Sequence, residues 1–590
     1  MSQRGIHADG GAMFRDEGQD GLMHRAFLRG MGLSAEDVRR SPVIGIANSA
    51  SDLNPCNRGL SELADYVKEG IREAGGLPLE FPTISISEPF TRPTSLYLRN
   101  LMSMDVEEMI TTAPIDGVVL LGGCDKTVPA QLMGAISAGK PALMVTAGPR
   151  SVSCHGANRQ FTVDDAWPLC DRRRVGEMED AEWLDLEGNI NVSVGTCNVM
   201  GTASTMAAIA EVLGFALPGS SLSDAVTDAR KSIARRTGIE AVAAVRRQQH
   251  PRGQVTIESL ENAFRTVIAL GGSTNSLIHL EAIAGRAGIT IGKERFNEWS
   301  CDTPFITNVR PGGVRTLPEL EAAGGIPAVM DRIREKLHVE APTATGRQWG
   351  EELDSRDFPE SDAIASAAEP LQLAGSLRML GGNLAPSGAV IKVAGATASS
   401  LLKHRGRVVI FDGVEDLNAR IDDDDLPVDA DSILVLRGMG VLGAPGMPEV
   451  GHIPIPAKLH RLGVTDMLRI SDARMSGTST GTVVLHVAPE SAAGGPLAYL
   501  RDGDEVEIDV AAGLLRHLVP DAEFYAREPV PGRAQAERGF AWLHGQHVLQ
   551  PDLGCDFDFL RAPEMSGPLI GAARTASETF SSIATSKEQA

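Results

Sequence analysis

The chain has 590 residues, 43% of them hydrophobic and 4% aromatic, with 55 basic against 77 acidic side chains for a formal charge of −22. That length exceeds one core and predicts two or more domains. The acidic balance argues against non-specific nucleic-acid binding and against an anionic membrane surface, although a bound divalent cation can reverse the sign locally and admit an anionic substrate. Residues 1–20 are polar, with no apolar stretch of signal-peptide type. No apolar run reaches the roughly 18 residues of a membrane span, so a soluble, cytoplasmic protein is expected. The seven cysteines, at 56, 124, 154, 170, 197, 301 and 555, include no CxxC pair. A disulfide framework does not suit so large a soluble chain, which leaves free thiols or metal ligands assembled by the fold.

In chain order, residues 42–48 read as a short buried strand running into a turn-rich loop that holds Cys56. A helix follows, with Leu63, Val67 and Ile71 on one face and Gly75-Gly76 as its stop. Residues 81–88 alternate apolar and polar like a strand ending on the carboxylate of Glu88, and 95–112 are helical in pattern. The apolar run 118–121 predicts a buried strand. It ends at Gly122-Gly123, and Cys124, Asp125 and Lys126 come directly after. A soft thiolate beside a hard carboxylate suits two different metals, and strand ends followed by such loops are where open α/β sheets keep their active sites. The plain alternative is a tight turn with a half-buried thiol. Thr127 and Pro129 open the next helix, and 141–145 form the next strand. This alternation predicts a parallel sheet covered by helices.

Residues 150–192 are polar and irregular and read as an excursion or lid; Cys154-His155 within it is either a metal-binding pair or a plain polar loop. Cys197 lies on a Gly-flanked turn before a helix over 202–213, a placement that lowers a thiol pKa. The run Gly271-Gly-Ser-Thr-Asn275 interrupts a helical pattern between 260 and 284, as a substrate-holding turn or a helix break. Periodicity is lost over 339–370, which reads as a linker dividing 1–370 from 371–590. After it, 389–393, 407–411, 432–436 and 505–510 are short β-branched segments, predicting a barrel-like β-rich domain with a few helices. Gly438-Met-Gly-Val-Leu-Gly443 matches a dinucleotide-binding pattern, but Pro445 and Pro448 deny it the helix it needs. Glu449, just beyond, is a candidate ligand. The loop 471–481 sets Ser476 among glycines and hydroxyls, either a nest for an anion or a Ser/Thr turn.

Cys56, Cys124 and Cys197 share one context, each in a loop beside Asn, Asp, Gly or Pro, and separations of 68 and 73 residues exclude a local zinc knuckle. Three thiolates on strand-end loops suit an iron–sulfur cluster. Such clusters take four protein ligands as a rule, so three leave one iron open as a Lewis acid. Glu88, Asp125 and Glu449 are hard oxygen ligands suited to Mg²⁺.

The segments NPCN, ISISEPFTRPTSLYLRN, GGCDKTVPA, GTCNVMGTASTM, GGSTN and SDARMSGTSTGTVVLHVAPE closely resemble the IlvD/Edd family of dehydratases, in the right order over nearly the whole chain. RPTSLYLRN and SDARMSG resemble its pentonate branch, the arabinonate and xylonate dehydratases, whereas branched-chain dihydroxy-acid dehydratases tend to carry a DGRFSG-like form. The segment Ser151-Val-Ser-Cys-His155-Gly departs from the pentonate pattern and leaves substrate length and stereochemistry open.

The resemblance implies an α/β N-terminal domain, a C-terminal barrel, an active site between them near a dimer interface, and a homodimer or homotetramer. It assigns a [2Fe–2S] cluster to Cys56, Cys124 and Cys197. Mg²⁺ goes to Glu88, Asp125, Glu449 and Lys126, the last as its carbamate, and Ser476 is the catalytic base, with Lys126 the next candidate. The implied reaction removes water from a 2,3-dihydroxy sugar acid to give a 2-keto-3-deoxy acid. Mg²⁺ would grip the carboxylate and 2-hydroxyl, the open iron the leaving 3-hydroxyl, and Ser476 would take the C2 proton. Rival readings are a branched-chain dihydroxy-acid or glycerate-type dehydratase and, from another class, an iron–sulfur electron carrier or sensor. A carrier needs neither the carboxylates nor the Ser476 loop.

Overall fold

Four short strands, β1 (Val43–Asn48), β2 (Leu77–Pro82), β3 (Gly117–Gly122) and β4 (Ala142–Thr146), lie parallel in the order β2-β1-β3-β4 in the computed structural model, which describes residues 11–155, 159–534 and 536–563. Along β3 successive side chains face opposite ways. Val118 and Leu120 join the core that includes Met102 and Val106 of helix Leu96–Thr112, while Val119 and Leu121 pack with Leu63, Val67 and Ile71 of helix Leu60–Glu73. A run apolar at every position is what a sheet covered on both faces requires, and that is why these strands were legible. The predicted strand over 81–88 is a correction: β2 ends at Pro82, where its partner β1 ends at Asn48. Beyond it Ile84 N–H donates to Asp105 (2.9 Å), Ile86 C=O accepts from Asn54 (2.9 Å), and the chain turns at Glu88.

Residues 150–192 hold more regular structure than expected. The hairpin of β5 (Ser153–His155) and β6 (Arg159–Phe161) is followed by helices Ala166–Arg174 and Asp180–Asn189. Those helices bury almost nothing, none of the first and only Leu186 of the second, so no apolar period marks them. Cys154 and His155 contribute backbone to β5; their side chains lie outside the described residues.

The second half closes a barrel from β7 (Leu377–Gly382), β8 (Ala385–Lys392), β9 (Lys403–Asp412), β10 (Ile433–Arg437), β11 (Arg469–Ser471), β12 (Val483–Ala488), β13 (Glu505–Asp509) and β14 (Leu514–His517), in the order β10-β11-β12-β8-β7-β14-β13-β9. Ile391, Val435, Ile470, Val484 and Ile508 fill its interior. The alternate residues Val390, Val483 and Leu485 point outward into the core of the first half, so β8 and β12 bind the barrel to the α/β layer. Within the connection read as a domain linker, Trp349 is fully buried and its indole N–H donates to the Val212 carbonyl (3.0 Å). The connection reads as a linker because it is held by isolated anchors, not by an apolar face. Among the described residues no helix is long and apolar enough to cross a membrane.

The C-terminal segment returns to the α/β half. Arg99, fully buried, donates to the carbonyls of Gly554 (2.8 Å) and Cys555 (2.9 Å). Arg286 pairs with Asp556 at 2.7 and 3.1 Å, with both side chains wholly buried. Removing one member of such a pair strands the other's charge. Asp556→Ala is expected to cost about 3–5 kcal/mol in denaturant unfolding; a loss below about 1 kcal/mol would place this pair with surface ones.

Candidate active site

The site starts where β3 ends. A Cβ on Gly123 would lie 2.4 Å from that of Ala147, so only glycine lets the chain turn there toward Cys124. Asn57 then fastens the loops together. Its Oδ1 accepts from Cys124 N–H (2.9 Å), and its Nδ2 donates to the hydroxyls of Ser49 (3.0 Å) and Thr127 (3.3 Å). This brings Cys56 beside Cys124, both buried. Glu88 N–H donates to Cys124 Sγ (3.4 Å), and Arg150, held by the Thr196 carbonyl (2.9 Å), reaches Cys56 Sγ at 3.9 Å. Cys197 follows Thr196 and feels the charges of Arg150, Asp125 and Cys124.

The expected lowering of the thiol pKa is corrected. Burial pushes Cys197 up to about 12 against the pull of Arg150. Cys124 is raised by the neighbouring Cys56 thiol and by burial. Cys56 and Cys124 lie side by side with Cys197 close enough to feel the charge of Cys124, and the first two sulfurs receive donors from Arg150 and the Glu88 N–H.

One residue further on, Lys126 is completely buried, and three carboxylates converge on its ammonium: Glu449 at 2.9 Å, Glu88 at 3.0 Å and Asp125 at 3.5 Å. Burial and Arg474 push the Lys126 pKa down, but the three anions outweigh them and it stands above its usual value. Burial would raise Glu88, yet Lys126, Arg474 and the Ser95 hydroxyl hold it at about 2. Glu449 moves the other way, upward, because it is more deeply buried and faces Glu88. Among the described residues no three His, Cys, Asp or Glu side chains form a metal-binding group; the ammonium occupies the middle of the carboxylates. The donor set fits a hard cation, with one more oxygen at hand: Asn275 Oδ1 is buried without a partner while its Nδ2 donates to Glu449 (2.8 Å).

Ser476 lies in the loop between β11 and β12. Its hydroxyl shares a hydrogen bond with Thr478 (2.8 Å), which accepts from the Trp167 indole N–H (2.8 Å). A Cβ on Gly477 would come within 2.8 Å of Thr202 N and 3.0 Å of Gly201 Cα. The loop therefore sits against the N-terminus of helix Thr202–Val212, whose dipole favours a negative oxygen.

Both halves of the chain match one family in order. Residues 41–352 match the N-terminal model of the dihydroxy-acid/6-phosphogluconate dehydratases, and 362–555 match the C-terminal one. The chain belongs to this family. It is an enzyme, a hydro-lyase. The dehydratase is 43% identical over 546 residues to the 6-deoxy-6-sulfo-D-gluconate dehydratase of Pseudomonas putida, covering 92% of this chain and 94% of that one. It is 44% identical over 548 residues to the L-arabinonate dehydratase of Rhizobium leguminosarum bv. trifolii, with 92% and 94% covered. The dihydroxy-acid dehydratase of Haloarcula marismortui is further off, at 37% over 507 residues, with 84% and 87% covered.

In the dehydratase all the residues singled out from the sequence, Cys56, Glu88, Cys124, Asp125, Lys126, Cys197, Glu449 and Ser476, belong to one connected region between the α/β layer and the barrel. Arg474 was missed. Fully buried, it donates to Glu449 (2.7 Å), the Thr94 hydroxyl (2.9 Å) and the Met447 carbonyl (2.7 Å), fixing Glu449 toward Lys126. Its one signal was a long cation in an otherwise small-residue loop. Arg150, Thr94 and Ser95 gave none.

Proposed function

We propose that the enzyme is an iron–sulfur- and Mg²⁺-dependent sugar-acid dehydratase, taking a 2,3-dihydroxy aldonate to a 2-keto-3-deoxy acid. The observation that carries this is the run Cys124-Asp125-Lys126, which sets the adjacent thiols of Cys124 and Cys56 next to a cage of three carboxylates. The sugar-acid relatives, at 43 and 44% identity against 37% for the dihydroxy-acid enzyme, support the aldonate class.

Cys56, Cys124 and Cys197 would hold a [2Fe–2S] cluster, and Glu88, Asp125 and Glu449 would hold Mg²⁺, with Lys126 joining as its carbamate and so adding an anionic oxygen where the ammonium stands. Bound there, the two groups supply Lewis acidity toward the leaving hydroxyl and toward the carboxylate and 2-hydroxyl. Ser476 takes the C2 proton. A free serine is too weak a base for this, and the helix N-terminus beneath Gly477 stabilises its oxyanion. Arg474 keeps Glu449 from turning away. Trp167 donates its indole N–H to Thr478 and so anchors the loop that carries Ser476. We place the enzyme in the cytoplasm as a homodimer or homotetramer; its acidic charge supports a role without nucleic-acid or membrane partners.

The test is 2-keto acid formation by anaerobically purified protein from pentonates, hexonates and branched-chain dihydroxy acids. Aldonates are expected to react fastest, and turnover should fall with chelation and return with added Mg²⁺ while iron and sulfide stay constant. Turnover of the branched-chain acids alone would overturn the substrate class, and full activity in excess chelator would overturn the Mg²⁺ site.

A further inference from the structure

The glycine pattern Gly438-Met-Gly-Val-Leu-Gly443, which opens no helix, is bound from within the protein. Asp472 and Glu490, both fully buried, take its N–H groups. Asp472 accepts from Gly438 N–H (3.2 Å) and Met439 N–H (2.9 Å). Glu490 accepts from Leu442 N–H (3.0 and 3.1 Å), Gly443 N–H (2.9 Å) and the Gln550 amide (2.8 Å), and its own N–H donates to Gln550 Oε1 (3.0 Å). A Cβ on Gly440 would come within 2.3 Å of the Glu490 carboxylate, so only glycine admits it there. The two carboxylates occupy donors of the kind that a dinucleotide's phosphates take in such a loop. No ion pair reaches either of them among the described residues, and buried anions held by neutral donors alone are costly. A fully satisfied network of this kind fixes the backbone in one conformation.

From this clip a hydrogen-bonded path of short steps leads to the carboxylate cage. Ala444 N–H donates to the Gly440 carbonyl (2.9 Å), and Met447 N–H donates to the Ala444 carbonyl (2.8 Å). The Met447 carbonyl accepts from Arg474 Nε (2.7 Å), whose Nη1 holds Glu449 (2.7 Å). Arg474 stands two residues beyond Asp472, so the clip fixes both the loop that carries Glu449 and the residue that aims it. On the far side of Glu449, Gly451 N–H donates to the Arg474 carbonyl (2.8 Å). Glu449 is thereby held against Lys126 (2.9 Å) and Asn275 (2.8 Å).

We infer that Glu490 is a positioning residue for Glu449: by clipping the glycine loop it holds that carboxylate in the cage and so sets how tightly the cage takes its cation. The inference rests on the Mg²⁺ reading above. It gives Glu490 no contact with the cation or the substrate.

The experiment measures Mg²⁺ binding by calorimetry on iron-replete, Mg²⁺-depleted protein in wild type, E490Q and E490D, beside turnover at graded Mg²⁺ and amide hydrogen exchange over 438–449. Glutamine replaces one acceptor oxygen by an NH₂ that must face an N–H donor. For E490Q the Mg²⁺ dissociation constant is expected to rise roughly 10-fold, part of the roughly 100-fold that a hydrogen bond to a charged group is worth at most. With Mg²⁺ saturating, kcat should stay within about twofold of wild type, with iron content unchanged and the loop exchanging faster. E490D keeps both oxygens, one methylene short, and should recover part of the affinity. Unchanged Mg²⁺ affinity in folded E490Q would overturn the inference and leave Glu490 a structural residue. Loss of iron, or a kcat that stays low at saturating Mg²⁺, would overturn it too, since the damage would then reach beyond the cage. If E490Q does not fold, Q550L decides: it takes one donor from the same carboxylate and should raise the Mg²⁺ constant by a smaller factor, and no change would overturn the inference. Wild type that binds no Mg²⁺ would instead overturn the metal reading of the cage, and this inference with it.

Discussion

Cys124→Ser is expected to strip the protein of its iron and visible absorption, and of all activity. Cys124 sits at the centre of the thiol group, with Cys56 beside it, an N–H from Glu88 on its sulfur and its own N–H fixed by Asn57. Serine keeps the shape but offers a hard, weakly acidic oxygen where a soft thiolate is needed. Cys56→Ser and Cys197→Ser should behave alike. Cys170, which is exposed, should tolerate serine without effect on iron, and the buried Cys555 should show only a packing cost of at most a few kcal/mol. Iron and sulfide assayed on anaerobically purified variants decide the matter, and wild-type content in all three site variants would end the assignment.

Ser476→Ala should lower kcat by roughly 10²–10⁴-fold, the range for losing a general base, while leaving the cluster spectrum and melting temperature unchanged. One oxygen is removed, and its partner Thr478 keeps the Trp167 N–H, so the loop retains an anchor. Any exchange of the C2 hydrogen with deuterated solvent should vanish with the rate. A variant whose kcat held while KM rose would show that Ser476 binds the substrate and takes no proton. Lys126 would then be the next base to examine, although its carboxylate cage favours the charged form. His486 is a poorer substitute: it lies on β12 in a left-handed conformation, and burial drives its pKa down to about 3.

The sequence by itself determined the parts of the molecule that are local. The run 118–121 had to be a strand buried on both faces, because every position is apolar and glycines stop it. Pro445 and Pro448 sufficed to reject a dinucleotide site, and no helix begins there. The thiols and carboxylates stood out as reactive types on glycine-bounded turns. Helices Ala166–Arg174 and Asp180–Asn189 were invisible because they bury almost no apolar face, and Trp349 was hidden in a stretch without period. The tertiary structure alone decided which of these residues meet and in what state. Lys126 and Glu449 are 323 positions apart and touch, and Arg474 matters only because the barrel carries it to Thr94. Cys197 looked like an activated thiol beside a helix start, and burial reversed the sign. Lys392 was one more residue of a β-branched strand until the barrel closed and buried its ammonium, without a hydrogen-bond partner among the described residues. Periodicity and turn chemistry are properties of neighbours along the chain, whereas desolvation and Coulomb energy depend on distances that the chain does not have until it folds.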